Sequence, residues 1–289
     1  MQKLRHYLSL IKFSHTIFAL PFALIGYALA IKEVNLTTES KVKLLLLVVL
    51  CMVFARSAAM AFNRFIDRKI DAKNPRTASR EIPAGIIPEK RAFCYVIINS
   101  ALFIATTYFI NTICFYLSPI ALFTILFYSY TKRFTSLCHF VLGIGLSLAP
   151  IGAYLAVTGI FALLPILFSF TVFTWVAGFD IMYALQDEEF DKSEQLFSIP
   201  SQLGINNALK LSEIVHFITA ALIIFIGLCG TFHMMYWIGA VIFIALLIYQ
   251  HLIVKPTDLS RINLAFGTTN GIASLVFAFF TILSIYLTT

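Results

Sequence analysis

The feature that most constrains this chain is a succession of apolar runs, each near 20 residues long and almost free of charge. A helix of roughly 20 apolar residues crosses the hydrocarbon core of a bilayer. Runs of this kind lie near residues 13–31, 43–62, 92–110, 113–131, 138–157, 161–183, 210–230, 234–252 and 265–287. Residues 44–49 and 221–226 are apolar at every position, whereas a membrane barrel strand would alternate polar and apolar residues. The expectation is an all-α, polytopic membrane protein of about nine transmembrane helices. No break in composition divides it, so residues 1–289 read as a single domain.

Composition sharpens what is excluded. Only 12% of the 289 residues are charged and 60% are hydrophobic, against roughly 25% charged in a soluble domain. That is too little charge to clothe a soluble enzyme, and too apolar for a disordered chain. The five cysteines, Cys51, Cys94, Cys114, Cys138 and Cys229, lie singly in apolar surroundings with no paired spacing. They read as packing residues rather than a disulfide scaffold or a metal site.

The formal charge of +7 would suggest nucleic acid in a soluble protein, but here its meaning is set by position. Seventeen of the 21 Lys and Arg fall at the N-terminus and in segments 63–91, 132–133, 192–210 and 255–261. The positive-inside rule then places the N-terminus and the connections after even-numbered helices in the cytoplasm. The expected partner is the lipid bilayer, not nucleic acid. Lys3, Arg5, His6 and Lys12 among Leu4, Tyr7, Leu8 and Ile11 read as an interfacial helix leading into the first span. A signal peptide fits less well, because the apolar stretch is too long and no small-residue cleavage site follows.

Acidic residues concentrate on the same side. At the end of the second span Asn63, Asp67 and Asp71 recur every four residues, and at the end of the sixth Tyr183, Asp187 and Asp191 do the same. On a helix each set shares a face. Like charges at that spacing repel, so something cationic is expected between them. One such stripe at a membrane edge can be a solvated helix end, but two matched stripes point further. Carboxylates on facing helices offer hard oxygen ligands for Mg²⁺ and leave positions for water and phosphate, which suggests a Mg²⁺-diphosphate site. Arg68, Lys69, Lys73, Arg76, Arg80, Lys132 and Arg133 stand near enough in sequence to hold phosphate oxygens, although positive-inside topology alone supplies many of them.

Arg56 lies well inside the second span, where a charge costs at least roughly 2.5 to 3.5 kcal/mol on insertion scales, so an anionic partner is required. Arg56 precedes Asn63 by the same interval that separates Asp180 from Asp187. Arg56 and Asp180 are therefore either a buried pair, or Arg56 receives a substrate carboxylate deeper in a cavity.

These residues resemble the UbiA superfamily of intramembrane prenyltransferases, whose motifs are NxxxDxxxD and a DxxxD preceded by Tyr. They stand here as Asn63-Asp67-Asp71 and Tyr183-Asp187-Asp191. The stretch from Arg76 and Thr77 through Arg80 to Pro83 and Gly85 is similar to the RTxxRPLPSG element of 4-hydroxybenzoate polyprenyltransferases, with Glu81 in place of Pro. Tyr128 with Lys132 and Arg133 resembles a YxxxKR element, and Asp180, Tyr183 and Ala184 a DxxYA element.

The resemblance implies a helical bundle around a central cavity, open sideways to lipid and capped on the cytoplasmic side by the two motif loops. The implied reaction moves a polyprenyl group from polyprenyl diphosphate to an aromatic hydroxy acid in quinone biosynthesis, at the bacterial cytoplasmic (inner) membrane. Mg²⁺ on Asp67, Asp71, Asp187 and Asp191 would neutralise the diphosphate. Lys132 and Arg68 would add diphosphate contacts, with Asn63 and Tyr183 bonding phosphate or orienting a metal ligand. Phe62, Phe65 and Tyr128 would wall an allylic cation. Arg133 and Arg56 would take an acceptor carboxylate, and Asp191 or Asp180 would assist proton removal.

The 4-hydroxybenzoate type fits the Arg76 stretch. The opening that runs from Lys12 through Ser14 and His15 to Pro21, together with Glu81, is similar to a bacterial branch that makes menaquinone, where the acceptor would be a dihydroxynaphthoate derivative. Transport is the competing class, since intramembrane acids also mark ion paths. Against it, these acids sit at helix ends rather than at a broken helix near the midplane.

Overall fold

The computed structural model describes Leu10 and residues 18–288. The expected interfacial helix with Lys3, Arg5, His6 and Lys12, and most of the segment from Lys12 to Pro21, lie outside the described residues. Nine long helices follow: α1 (Leu20–Glu33), α2 (Thr38–Lys73), α3 (Glu89–Tyr108), α4 (Thr112–Thr131), α5 (Cys138–Thr158), α6 (Leu163–Ala184), α7 (Ile199–Cys229), α8 (Met234–Ile253) and α9 (Asn270–Leu287). Among the described residues, eight helices, α2 to α9, are long and apolar enough to cross a membrane. The first expected span is described only from its α1 portion, 14 residues long. The protein is an all-helical integral membrane protein, and large apolar side chains such as Tyr116, Phe217 and Leu228 stand 71–75% exposed on its outside, where lipid rather than water suits them.

Local chemistry sets the helix ends. Thr37 caps α2 by accepting the Ser40 amide, and Asn111 caps α4 by accepting the Cys114 amide at 2.9 Å. Ser198 and Ser201 form a reciprocal capping box at the start of α7, satisfying amides that have no helical partner. Gly159 ends α5 in the left-handed region at φ 68°, a conformation glycine adopts without the Cβ penalty. Gly204, at φ 75°, breaks α7 one turn after its start.

Two halves emerge from the packing. In one, α1 lies against α5 and α9, and α6 packs between α5 and α7. Their shared core is aromatic: Phe22, Phe168, Trp175, Tyr236, Phe243 and Phe277 are fully buried together. A polar network locks it, with Trp175 Nε1 and Gln250 Nε2 both donating to Asn270 Oδ1, at 2.9 and 2.8 Å. Asn270 also donates to the carbonyls of Ala265 and Phe266, which the π-helical turn Leu264–Thr269 leaves partly unpaired, as such turns do. The other half is a looser fence of α2, α3 and α4.

Between them lies a cavity of about 1090 Å³. It reaches from Asp71 and Asp187 at one end to Val48, Cys114 and Phe161 at the other. Along α2 alone, from Val48 to Asp71, that is roughly 35 Å at 1.5 Å per residue.

Candidate active site

Helix α2 supplies the first acidic stripe as expected. Asp67 and Asp71 point inward and are 2% and 4% exposed, and Asn63 lines the cavity beside them. Each carboxylate is met by cations. Asp67 takes Lys132 Nζ at 2.6 Å and Arg133 Nη2 at 2.8 Å, with Asn63 Nδ2 at 3.3 Å. Asp71 takes Arg80 Nη1 at 2.8 Å.

The second stripe is not carried by one unbroken helix, as the sequence spacing suggested. Helix α6 stops at Ala184, a 3-10 turn spans Leu185–Asp187, and a short helix, Glu188–Ser193, follows. The run Gln186 to Glu189 has four polar or acidic residues together, which suits a tightened, solvated turn better than an apolar-faced helix. Tyr183, Asp187 and Asp191 nevertheless all line the cavity. Asp187 is gripped by Arg76 through two nitrogens and by Asn74 Nδ2 at 2.9 Å, while Asp191 stands beside Ser198. Arg76 Nη1 donates to the Tyr183 hydroxyl at 3.1 Å. Burial opposes the charge on Arg76, but hydrogen bonds and attraction from Asp187 outweigh it and push its pKa up. Arg76 is thus cationic at any working pH.

The loop of residues 74–88 bridges the two stripes. Thr77 Oγ1 donates to the Asp71 carbonyl at 3.0 Å, Asn74 Oδ1 accepts the Arg76 amide at 2.9 Å, and Lys73 pairs with Glu194 at 2.6 Å. The Phe197 amide donates to the Lys132 carbonyl at 2.7 Å, so the end of α4 is held to the second loop as well.

Several expected roles change. Arg68 lies outside the cavity: one residue after Asp67 it is turned by about 100° on the helix, where it pairs with Glu89 at 2.8 Å and lies over the Phe65 ring. Arg133 is likewise outside the lining and holds Asp67, the Ser129 carbonyl and the Ile66 carbonyl. It positions the acid rather than receiving a ligand. Phe62 packs on Tyr130 and Phe65 on Phe93, so neither walls the cavity. That role falls to Tyr128, Phe179 and Phe266, with Tyr183 stacked on Phe266 at 4.0 Å between centroids. The π-helical turn places Phe266 there. A consequence follows for mutagenesis: Lys132→Ala should lower turnover by at least about 10²-fold as a lost charge contact to a reacting group, while Arg68→Ala should change it less than about threefold, being a partly exposed pair. Steady-state rates of the two variants check this.

Arg56 and Asp180 both line the deeper cavity. The partner of Asp180 is His139, with Nδ1 to Oδ2 at 2.7 Å, rather than Arg56. His139, Asn74 and the buried Arg64, which also lines the cavity, were not singled out by sequence. The sequence called for a partner to Arg56 rather than to Asp180, so nothing in it pointed to His139.

Among the described residues, no three carboxylate, imidazole or thiol groups converge closely enough to hold a metal by themselves. The donors do suit Mg²⁺: four carboxylates and an amide oxygen border one space, hard oxygen ligands of the kind the ion takes. Asp71 Oδ2 is buried with no hydrogen-bond partner, as an oxygen kept for a further cation would be.

Fold and site together define a membrane-embedded transferase with an acid-and-base head and an apolar channel. The chain belongs to the UbiA prenyltransferase family, whose profile matches residues 19–284, and it is a prenyltransferase. It is 30% identical over 235 residues to the 4-hydroxybenzoate octaprenyltransferase of Tolumonas auensis, covering 81% of this chain and 82% of that protein. Its likeness to that of Aliivibrio fischeri strain MJ11 is 30% over 241 residues, covering 81% of each. The solved UbiA homologue from Aeropyrum pernix K1 superposes with a TM-score of 0.79 at 30% identity, over 94% of this chain and 97% of that one. A UbiA homologue from Archaeoglobus fulgidus, solved with GPP and Mg²⁺, shares the fold at a TM-score of 0.72 and 23% identity, over 98% of this chain and 100% of that one.

Proposed function

We propose that this chain transfers a polyprenyl group from polyprenyl diphosphate to an aromatic hydroxy acid of the 4-hydroxybenzoate kind, for quinone biosynthesis, using Mg²⁺. The observation that carries this is the amphiphilic shape of one cavity. Buried acids and bases crowd one end, and mainly apolar side chains, with Arg56 and Asp180 among them, line the rest of a channel about 35 Å long. A diphosphate with a long isoprenoid tail has the same polarity along its length. The relatives named 4-hydroxybenzoate octaprenyltransferase support the acceptor class. The charged end faces the cytoplasm of a bacterial inner membrane, a reading that the distribution of Lys and Arg supports.

Asp67, Asp71, Asp187 and Asp191, with Asn63 beside them, would hold the metal. Mg²⁺ bound there would stabilise negative charge on the diphosphate as the allylic carbon–oxygen bond breaks. In the free protein Lys132, Arg80 and Arg76 occupy carboxylate oxygens. All three line the cavity, so they are placed to exchange those oxygens for phosphate oxygens when the substrate arrives. Arg133 stays on Asp67 throughout. Tyr183 can donate to phosphate once Arg76 moves. Tyr128, Phe179 and Phe266 present aromatic faces that stabilise an allylic cation without attacking it, and the packed α5–α6 wall keeps water from it. Arg56, deeper than the acids, binds the acceptor carboxylate and sets the ring against the reacting carbon.

Membranes containing the protein, supplied with polyprenyl diphosphate and Mg²⁺, test this against 4-hydroxybenzoate, a dihydroxynaphthoate and a phenol without a carboxylate. Prenylated 4-hydroxybenzoate is the expected product, with no reaction of the plain phenol. Preference for the dihydroxynaphthoate would move the protein to menaquinone synthesis. Absence of product from every aromatic acid would overturn the reading.

A further inference from the structure

An electron-rich ring that captures an allylic cation must then lose the proton from the carbon attacked. Asp67, Asp71 and Asp187 are poorly placed to take it, because each is paired with Lys132, Arg133, Arg80 or Arg76, and Asp191 is hydrogen-bonded to Ser198 at the same charged end. Asp180 differs in depth and in partner. It lies seven residues before Asp187, about 10 Å further along the cavity wall. Its side chain is 23% accessible and lines the cavity.

Its partner is a histidine held at both ring nitrogens. His139 Nε2 lies 3.3 Å from the Ile199 amide nitrogen, and that amide donates to it. A carboxylate oxygen accepts, so His139 Nδ1 carries a proton and donates to Asp180 Oδ2 at 2.7 Å. His139 is 3% exposed. Ile199 is the first residue of α7, fixed by the Ser198–Ser201 capping box. The neighbouring Cys138 Sγ donates to the Phe197 carbonyl at 3.5 Å. A chain of amide, imidazole and carboxylate therefore runs from the second motif loop to the deep cavity. It is the arrangement by which a buried base is oriented in acid–base catalysis.

We infer that Asp180 is the proton acceptor of the prenyl transfer and that His139 is its positioning residue, joined to the second loop through Ile199. The inference rests on the prenyl-transfer reading above. In the step, the carbon–oxygen bond to diphosphate breaks and its electron pair leaves with the diphosphate. A ring carbon supplies the electron pair for the new carbon–carbon bond. The proton on that carbon then passes to the free oxygen of Asp180, its bonding pair restores the aromatic ring, and Asp180 releases the proton to solvent before the next turnover. The Nδ1–H of His139 stays on Oδ2 and holds the carboxylate in one rotamer, leaving its other oxygen for the proton.

The test uses the full chain in lipid vesicles and an accepted aromatic acid, ordinary or deuterated at the prenylated ring carbon. With unaltered protein the two acceptors should react at equal rates, since ionisation limits turnover. Asp180→Asn should lose at least about 10²-fold in turnover and make the deuterated acceptor measurably slower, because proton loss becomes limiting. Asp180→Glu should recover part of the rate. His139→Phe should show the same isotope sensitivity in weaker form, and His139→Asn, which keeps a donor near Nδ1, should largely remove it. Unchanged binding of polyprenyl diphosphate certifies that a slow variant is folded. The inference is overturned if Asp180→Asn binds diphosphate normally yet reacts equally fast with both acceptors, or if it keeps full turnover. A variant set that fails to bind diphosphate also counts against it, because both side chains are then structural. If unaltered protein prenylates no aromatic acid, the underlying reading has failed instead, and the inference with it.

Discussion

Asp187→Asn is expected to lower turnover by at least about 10³-fold while the protein still inserts and folds, since it removes one of the groups placed where charge develops on the leaving diphosphate. Asp67→Asn should be as inactive but less stable. Asp67 is the shared anion of Lys132 and Arg133, and its loss leaves two partly buried cations facing a neutral amide, at a cost on the order of 2 kcal/mol. Asp187 balances one cation, Arg76, instead of two, so its loss is better tolerated. Turnover in vesicles and the thermal midpoint in detergent separate the two effects. Near-normal rates in both variants would remove the acidic stripes from the mechanism.

Gly26→Val is expected to destabilise the protein by about 3 kcal/mol or more, an overpacking cost at the upper end of its usual range. A Cβ at Gly26 would stand 2.0 Å from the Pro150 carbonyl oxygen and 2.8 Å from its carbon. Both are backbone atoms of α5, so no side chain can swing aside. Close approach through small residues is how membrane helices gain contact, and α1 against α5 closes one wall of the cavity. Gly152→Ala, two residues beyond Pro150 on the same helix, meets nothing within 4 Å and should be neutral or slightly stabilising. Thermal midpoints of the two variants give the comparison, and equal midpoints would contradict the tight α1–α5 contact.

Much of this architecture could be read before any coordinates. Apolar runs locate helices because a bilayer forces all backbone hydrogen bonds inside each span, so most helix ends hold to within a few residues, while α2 runs on to Lys73 and α7 begins at Ile199, each eleven residues beyond its apolar run. Past the end of α6 the acidic density of Asp187, Glu188, Glu189 and Asp191 was legible, but its effect on helix geometry was not, since a 3-10 turn depends on how the loop packs. The inward face of Asn63, Asp67 and Asp71 followed from spacing alone. The direction of Arg68 also follows from spacing, as it sits one residue from Asp67 and must point elsewhere. Proximity in sequence had obscured that. Arg133 shows a different limit: a cation beside a site can serve the ligand or the acid, and only its distances to Asp67 and Ser129 decide.

His139 shows the deepest limit. Nothing in the order of residues joins His139, Asp180 and Ile199, which meet only because α5, α6 and α7 pack side by side. The sequence asked only for an anion opposite Arg56. Asp180 fitted that need by helical phase, but tertiary packing sets Asp180 against His139 instead. The aromatic wall has the same origin, with Phe266 brought to Tyr183 by a π-helical turn that periodicity does not reveal.

The central claim is that two acidic stripes and a divalent cation together draw the diphosphate away from the prenyl group. It is tested most directly by following diphosphate and prenylated aromatic acid together in purified membranes, before and after EDTA. The account predicts that both products appear in equal amounts, that EDTA abolishes both, and that excess Mg²⁺ restores them. Prenylated product formed at an undiminished rate in EDTA would contradict it.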